Sequence, residues 1–160
     1  MFLVNLIPLL LLVGVLTQSG ADADEQLGEQ ANDLQDTVKS FYVKFIEYSF
    51  NDDTDALIGL HDEKCSILID GLPPTTGVDE IRSLLKLMPE RAVHIEPTYW
   101  EVKAMDSNAE YVYMTLHLDY FDEAGEIILA TNGINILKKH PDGYKFYIVI
   151  FNRHSQQAKQ

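Results

Sequence analysis

The 160-residue chain has a single cysteine, Cys65, and a single tryptophan, Trp100. One thiol cannot form an internal disulfide, so burial alone must hold the core together. Cys65 opens the apolar run CSILI, where it reads as a small buried hydrophobe, and an intermolecular disulfide would need it exposed. Basic residues are also scarce. Twelve Lys and Arg stand against 25 Asp and Glu, for a formal charge of −13. Phosphate binding needs clustered Lys and Arg, so this surface excludes nucleic acid and anionic lipid as partners. Its simplest use is solubility in an extracellular fluid. No Asn-x-Ser/Thr sequon occurs, so N-glycosylation is not expected. A glycine-rich phosphate loop is missing, since Gly71 and Gly77 read as turn glycines. His61, His94, His117, His140 and His154 are scattered, with no close pair on one element to seed a metal site. No EF-hand spacing follows Asp52-Asp53. The sequence therefore implies neither a metal nor a cofactor.

What the chain does have begins with an apolar leader. Met1 to Ser19 is almost wholly apolar, and small residues follow at Gly20, Ala21 and Ala23. Ala21-Asp22-Ala23 has the A-x-A form of a signal-peptidase site, with Ser19-x-Ala21 as a second possibility. A membrane anchor is the alternative. The run is shorter than the roughly 20 residues a span needs, and Asn5 and Pro8 interrupt it. The expected organisation is a signal peptide over residues 1–23, one domain over 24–154 and a tail over 155–160, in a secreted protein. Cleavage would remove Asp22 alone among the charged side chains, changing −13 to −12.

Periodicity gives the elements. Leu27, Ala31, Leu34, Val38, Tyr42, Phe45 and Tyr48 step by three or four, which predicts a helix over 24–51 whose later half, Val38 to Phe50, packs in the core. Asp53 can cap a short helix, Thr54 to His61. Cys65 to Asp70 is the first strand, stopped at Gly71-Leu72-Pro73-Pro74. A third helix runs from Val78 to Met88 through Ile81, Leu84, Leu85 and Met88. Strands follow over Ala92–Met105, with Pro97 at a bulge or edge, and over Asn108–Phe121. The latter alternates, with Val112, Met114, Leu116 and Leu118 on one face and Tyr111, Tyr113, Thr115, His117 and Asp119 on the other. Ile127–Lys138 and Tyr144–Asn152 flank His140-Pro141-Asp142-Gly143, a hairpin turn. The order predicts an α+β fold: three helices and a curved antiparallel sheet wrapped around the long first helix, a cone-shaped, cystatin-like roll closing on a pocket.

Three stretches carry a resemblance: residues 41–71 (FYVKFIEYSFNDDTDALIGLHDEKCSILIDG), 77–85 (GVDEIRSLL) and 133–152 (GINILKKHPDGYKFYIVIFN). Together they resemble the nuclear-transport-factor-2-like superfamily, most nearly its small SnoaL-like domains, over roughly Asp33 to Asn152. The resemblance implies a cone with an internal pocket and frequent homodimers through the outer sheet face. Its members include ketosteroid isomerases, polyketide cyclases, dehydratases, transport factors and kinase association domains, so fold alone assigns no function.

Asp70 is the candidate general base, because a carboxylate follows this strand in isomerase-like members and an apolar cavity raises its pKa. The family's oxyanion-hole tyrosine falls at Phe45, with Tyr42 and Tyr48 one turn away. The last strand of SnoaL-like members carries an acid or histidine where this chain has Val149. Tyr42, Phe45, Tyr48, Trp100 and Tyr120 are candidate pocket residues. Tyr111, Tyr113 and His117 are candidate dimer-interface residues, since interfaces favour Tyr and disfavour Lys and Glu. Three readings follow. The first is a secreted, non-catalytic domain that binds a small apolar molecule and dimerises. The second is an isomerase, cyclase or dehydratase-type enzyme using Asp70. The third is a protein-interaction module with a filled core.

Overall fold

The computed structural model describes residues 19–85 and 92–154, the side chains of residues 19–31, Tyr99, Trp100 and His154 excepted. Most of the expected signal peptide, residues 1–18, and the tail 155–160 lie outside these residues. No helix of the described residues is long and apolar enough to cross a membrane. The chain divides into two units, residues 1–34 and 35–160. In the first, residues 19–34 are helical and open helix α1, Ser19–Phe50.

Within the second unit, α1 behaves as its stripe predicts. Val38, Phe41 and Tyr42 are buried, while Val43 and Phe50 are exposed. The helix ends where Asp52 takes a left-handed backbone conformation, φ 53°. Asp53 then caps helix α2, Thr54–Gly59, its carboxylate accepting from the Ala56 N–H at 3.0 Å. Helix α3, Val78–Leu85, buries Ile81. Its expected continuation to Met88 falls outside the described residues.

Among the described residues one sheet has six strands. These are β1 (His61–Ile69), β2 (Thr75–Thr76), β3 (His94–Ala104), β4 (Tyr111–Phe121), β5 (Ile127–His140) and β6 (Gly143–His154). Their spatial order is β2-β1-β6-β5-β4-β3. Strands β3 to β6 form the expected antiparallel meander. The β5–β6 turn is tight: His140 pairs with Gly143, whose φ of 122° a side chain would disfavour. Pro97 sits both on an edge strand and beside a register shift, which keeps its missing N–H out of a central ladder. The sheet differs from a purely antiparallel one in one respect. β1 runs parallel to β6, because the intervening helices and meander return the chain to β1 in the same direction. The result is an α+β fold with a curved mixed sheet.

One face of this sheet is the core. Val112, Met114, Leu116, Leu118 and Tyr120 on β4 are all buried, in strict alternation with half-buried neighbours. The register places them beside Leu137, Asn135, Gly133, Thr131 and Leu129 on β5. Phe146 of β6 anchors α1 to this face. The rings of Phe41, Tyr42 and Phe45 meet it edge-on at 4.8, 6.2 and 5.3 Å between centroids. Cys65 is fully buried. Burial, and then the charge of nearby Asp62, push its thiol up to about 12. It is neither exposed for a disulfide nor a nucleophile near neutral pH.

Candidate functional site

The inner face of the sheet and the second half of α1 do not close completely. A cavity of about 400 Å³ lies among residues 35–160, within the range of roughly 300–1,000 Å³ typical of small-molecule sites. Its walls are mostly apolar and include Ile67, Ile69, Leu116, Leu118, Phe146 and Phe151. Part of the open space comes from Gly133 on central strand β5. A Cβ there would stand 3.0 Å from the Ile150 carbonyl oxygen and 3.7 Å from Leu116 Cδ2.

A few polar groups break the apolar lining. The Tyr42 side chain is hydrogen-bonded to Asn135, and that of Tyr120 to Thr131. Burial, and then the nearness of Tyr120, hold the Tyr42 phenol well above its ordinary pKa despite the Asn135 bond. Burial likewise raises Tyr120. Both therefore stay protonated donors at any physiological pH. Asn135 is buried, and its Oδ1 has no hydrogen-bond partner among the described residues. His61 also lines the cavity. Its Nδ1 lies 2.8 Å from the Leu57 carbonyl oxygen. A carbonyl can only accept, so Nδ1 carries the proton and Nε2 is the basic nitrogen. Burial lowers the imidazole pKa against that hydrogen bond, which keeps the ring neutral. Arg153, next to the end of β6, is the one charged residue of the lining among the described residues.

The sequence-derived residues separate in space. Tyr42, Phe45 and Tyr120 line the cavity. Tyr48 is half-buried on α1 but is not part of the lining. Trp100 pairs with Leu116 in the β3–β4 ladder, and its side chain lies outside the described residues. Asp70 requires a correction. It follows β1, is exposed and does not line the cavity, so it has neither the apolar surroundings nor the reach expected of a base acting there. The physical reason is the face of β1. Cys65, Ile67 and Ile69 point inward, which sends Ser66, Leu68 and Asp70 the other way. Val149 lines the cavity where SnoaL-like members carry an acid or histidine. The interior is not filled, contrary to the interaction-module reading.

Tyr111, Tyr113 and His117 occupy the outer face of β4, half-buried. The Tyr111 ring meets that of Tyr147 at 5.7 Å. His117 bridges Asn132 Oδ1 at 2.6 Å and Asp119 Oδ1 at 3.1 Å. Beside them runs a row across four strands: Leu68, Ile150, Ile134 and Thr115. Leu68, Ile150 and Ile134 are 37%, 39% and 47% exposed, an apolar patch on a strongly acidic protein. Thr115 Oγ1 is buried there without a hydrogen-bond partner.

His61, Asn135, Thr131 and Arg153 were not legible as cavity residues. Asn135 offered the best signal, an amide set between Ile134 and Ile136 in the apolar run IILATNGINILK. Among the described residues no group of three or more His, Cys, Asp or Glu is placed to hold a metal ion.

No family model matches the chain, and no curated protein matches it in sequence. Solved structures do. An ntf2-like protein with a cystatin-like fold from Novosphingobium aromaticivorans superposes with a TM-score of 0.64 at 14% identity, covering 91% of this chain and 95% of that one. The ActVI-ORFA protein of Streptomyces coelicolor gives 0.62 at 14% identity over 76% and 97%. A ketosteroid isomerase-like protein from Erwinia carotovora atroseptica gives 0.58 at 15% identity over 78% and 98%. At such identities the likeness establishes the fold alone. The chain has the nuclear-transport-factor-2-like, cystatin-like fold that residues 41–71 and 133–152 suggested.

Proposed function

We propose that this protein is a secreted, non-catalytic binding protein that holds a small, largely apolar molecule in its cavity and pairs with a second copy through the outer sheet face. One observation carries the binding reading. The cavity is lined by apolar side chains, a few neutral polar groups and Arg153, with no carboxylate among the described residues. Such a lining gives up apolar surface to a ligand and orients it by one or two hydrogen bonds. Family enzymes that use a carboxylate base have no counterpart here, because Asp70 is outside and Val149 is aliphatic. Secretion is supported by the apolar leader and the A-x-A site at Ala21-Asp22-Ala23. Pairing is supported by the exposed Leu68, Ile150 and Ile134 and by the unpartnered Thr115 hydroxyl beside them.

Native mass spectrometry of the chain recovered from the medium of a secreting host tests the reading. A retained small molecule, released on denaturation and extractable into organic solvent, is the expected result. A chain that carries nothing after exposure to serum lipids would contradict it.

His61 favours one alternative, an isomerase, cyclase or dehydratase-type enzyme. A neutral imidazole with Nε2 free of the Leu57 bond is a competent base for a bound carbon acid. That alternative expects double-bond isomerisation of an unsaturated ketosteroid, seen as growing enone absorbance and lost in His61→Gln. Binding without turnover supports the first reading.

A further inference from the structure

Among the described residues the cavity of this acidic protein is lined by one ionic side chain, and it is a cation. Arg153 is exposed yet forms part of the lining, so it stands at the opening. It makes no hydrogen bond or ion pair among the described residues, and no Asp or Glu joins it in the lining. At the other end of the same face Asn135 keeps Oδ1 buried and unpartnered. An unpartnered buried acceptor is unfavourable until a donor reaches it. The register fixes how far apart these two groups are. Asn135 pairs with Val149 and Thr131 with Arg153, on adjacent central strands. Val149 and Arg153 are four residues apart on one strand, which is about 13 Å at roughly 3.3 Å per residue. Between them the face offers Leu116, Leu118 and Phe151, with Gly133 leaving the floor open.

We propose that the ligand is an amphipathic carboxylate: an extended apolar body along this face, its carboxylate on the Arg153 guanidinium at the opening, and a hydroxyl at its far end donating to Asn135 Oδ1. The inference rests on the binding reading above and names the chemical class of its ligand. A guanidinium matches a carboxylate in a planar, two-point contact. The long-range field of a −13 protein repels anions. A carboxylate-selective cavity in this chain therefore depends on that local contact. The apolar span supplies most of the affinity, and the two ends select the molecule.

The test separates this inference from the reading beneath it. N-phenylnaphthylamine, an uncharged dye that brightens in apolar sites, is bound to the full chain. It is then displaced by dodecanol, dodecanoate or ω-hydroxydodecanoate below their aggregation limits. Dodecanoate is expected to displace at concentrations about tenfold lower than dodecanol, the size of a charged hydrogen bond. Arg153→Gln should remove that difference, with acid and alcohol compared in the same variant, and Arg153→Lys should restore part of it. The ω-hydroxy acid should displace better still. Arg153 is exposed, so its replacement does not threaten the core. Dye binding with equal displacement by acid and alcohol, or an acid preference that survives Arg153→Gln, would overturn the carboxylate assignment and leave the cavity reading standing. Displacement by the ω-hydroxy acid no better than by dodecanoate would overturn the role of Asn135. No dye binding at all would overturn the cavity reading itself, and this inference with it.

Discussion

His61 and Leu57 are tied by a 2.8 Å hydrogen bond from imidazole Nδ1 to the carbonyl oxygen, at the junction between α2 and β1. The bond fixes the tautomer, holds the ring against Phe146 at 5.1 Å and leaves the imidazole neutral in a buried place. Stability should therefore depend on pH in a definite direction. The folded-state pKa of His61 is lowered, so below the ordinary value of 6.5 the unfolded chain binds the proton more readily. Stability is full above that value and falls as pH drops toward the folded pKa. Asp62 adds a second window. Burial works to raise its pKa, but the Lys64 N–H, His140 and Lys138 outweigh burial and hold it below 3.8. Its contribution is present above 3.8 and is lost below. Urea unfolding midpoints measured from about pH 8 downward should decline first in the His61 window and again in acid. His61→Gln should flatten the first decline. A parent midpoint that rises on acidification toward pH 5 would contradict this assignment.

Phe146 should be the most costly ring to remove. It is buried and meets Phe41, Tyr42, Phe45 and His61, so it joins α1, β1 and β6. Phe146→Ala is expected to cost about 3–5 kcal/mol in chemical unfolding, as a large cavity in an aromatic cluster does. A loss below about 1 kcal/mol, the size of an average substitution, would show that α1 is held elsewhere.

The outer face makes a prediction about assembly. If a second copy covers Leu68, Ile150 and Ile134, then light scattering of the chain should give a dimer at micromolar concentration. Ile134→Lys should convert it to a folded monomer, because a charge in the centre of an apolar interface is left unpaired. A parent chain that scatters as a monomer contradicts the pairing.

Much of this fold was readable because alternation and helical period are local. The strict alternation from Tyr111 to Phe121 and the turn at Pro141-Asp142 needed only neighbouring residues. The parallel β1–β6 pair was not readable, since Ile67 and Val149 meet across most of the domain. The same limit misplaced Asp70. Alternation along the chain puts Ser66, Leu68 and Asp70 on one face, and only the position of β1 in the sheet decides that this face is the outer one. His61 reads as the end of a helix, yet it opens a strand and turns into the cavity. Asn135 and Arg153 come to line one cavity through register, which no local pattern encodes.

The central claim, that the cavity binds a small apolar molecule, is tested most directly by titrating N-phenylnaphthylamine into the parent chain and into Val149→Trp. Val149 lines the cavity, so the larger ring occupies the space a ligand would take. Overpacking of this kind costs about 1–3 kcal/mol, which circular dichroism and unfolding measurements can monitor. The account predicts saturable binding at a single class of site in the parent and its loss in the folded variant. No saturable binding by the parent, or equal binding by the folded variant, would contradict it.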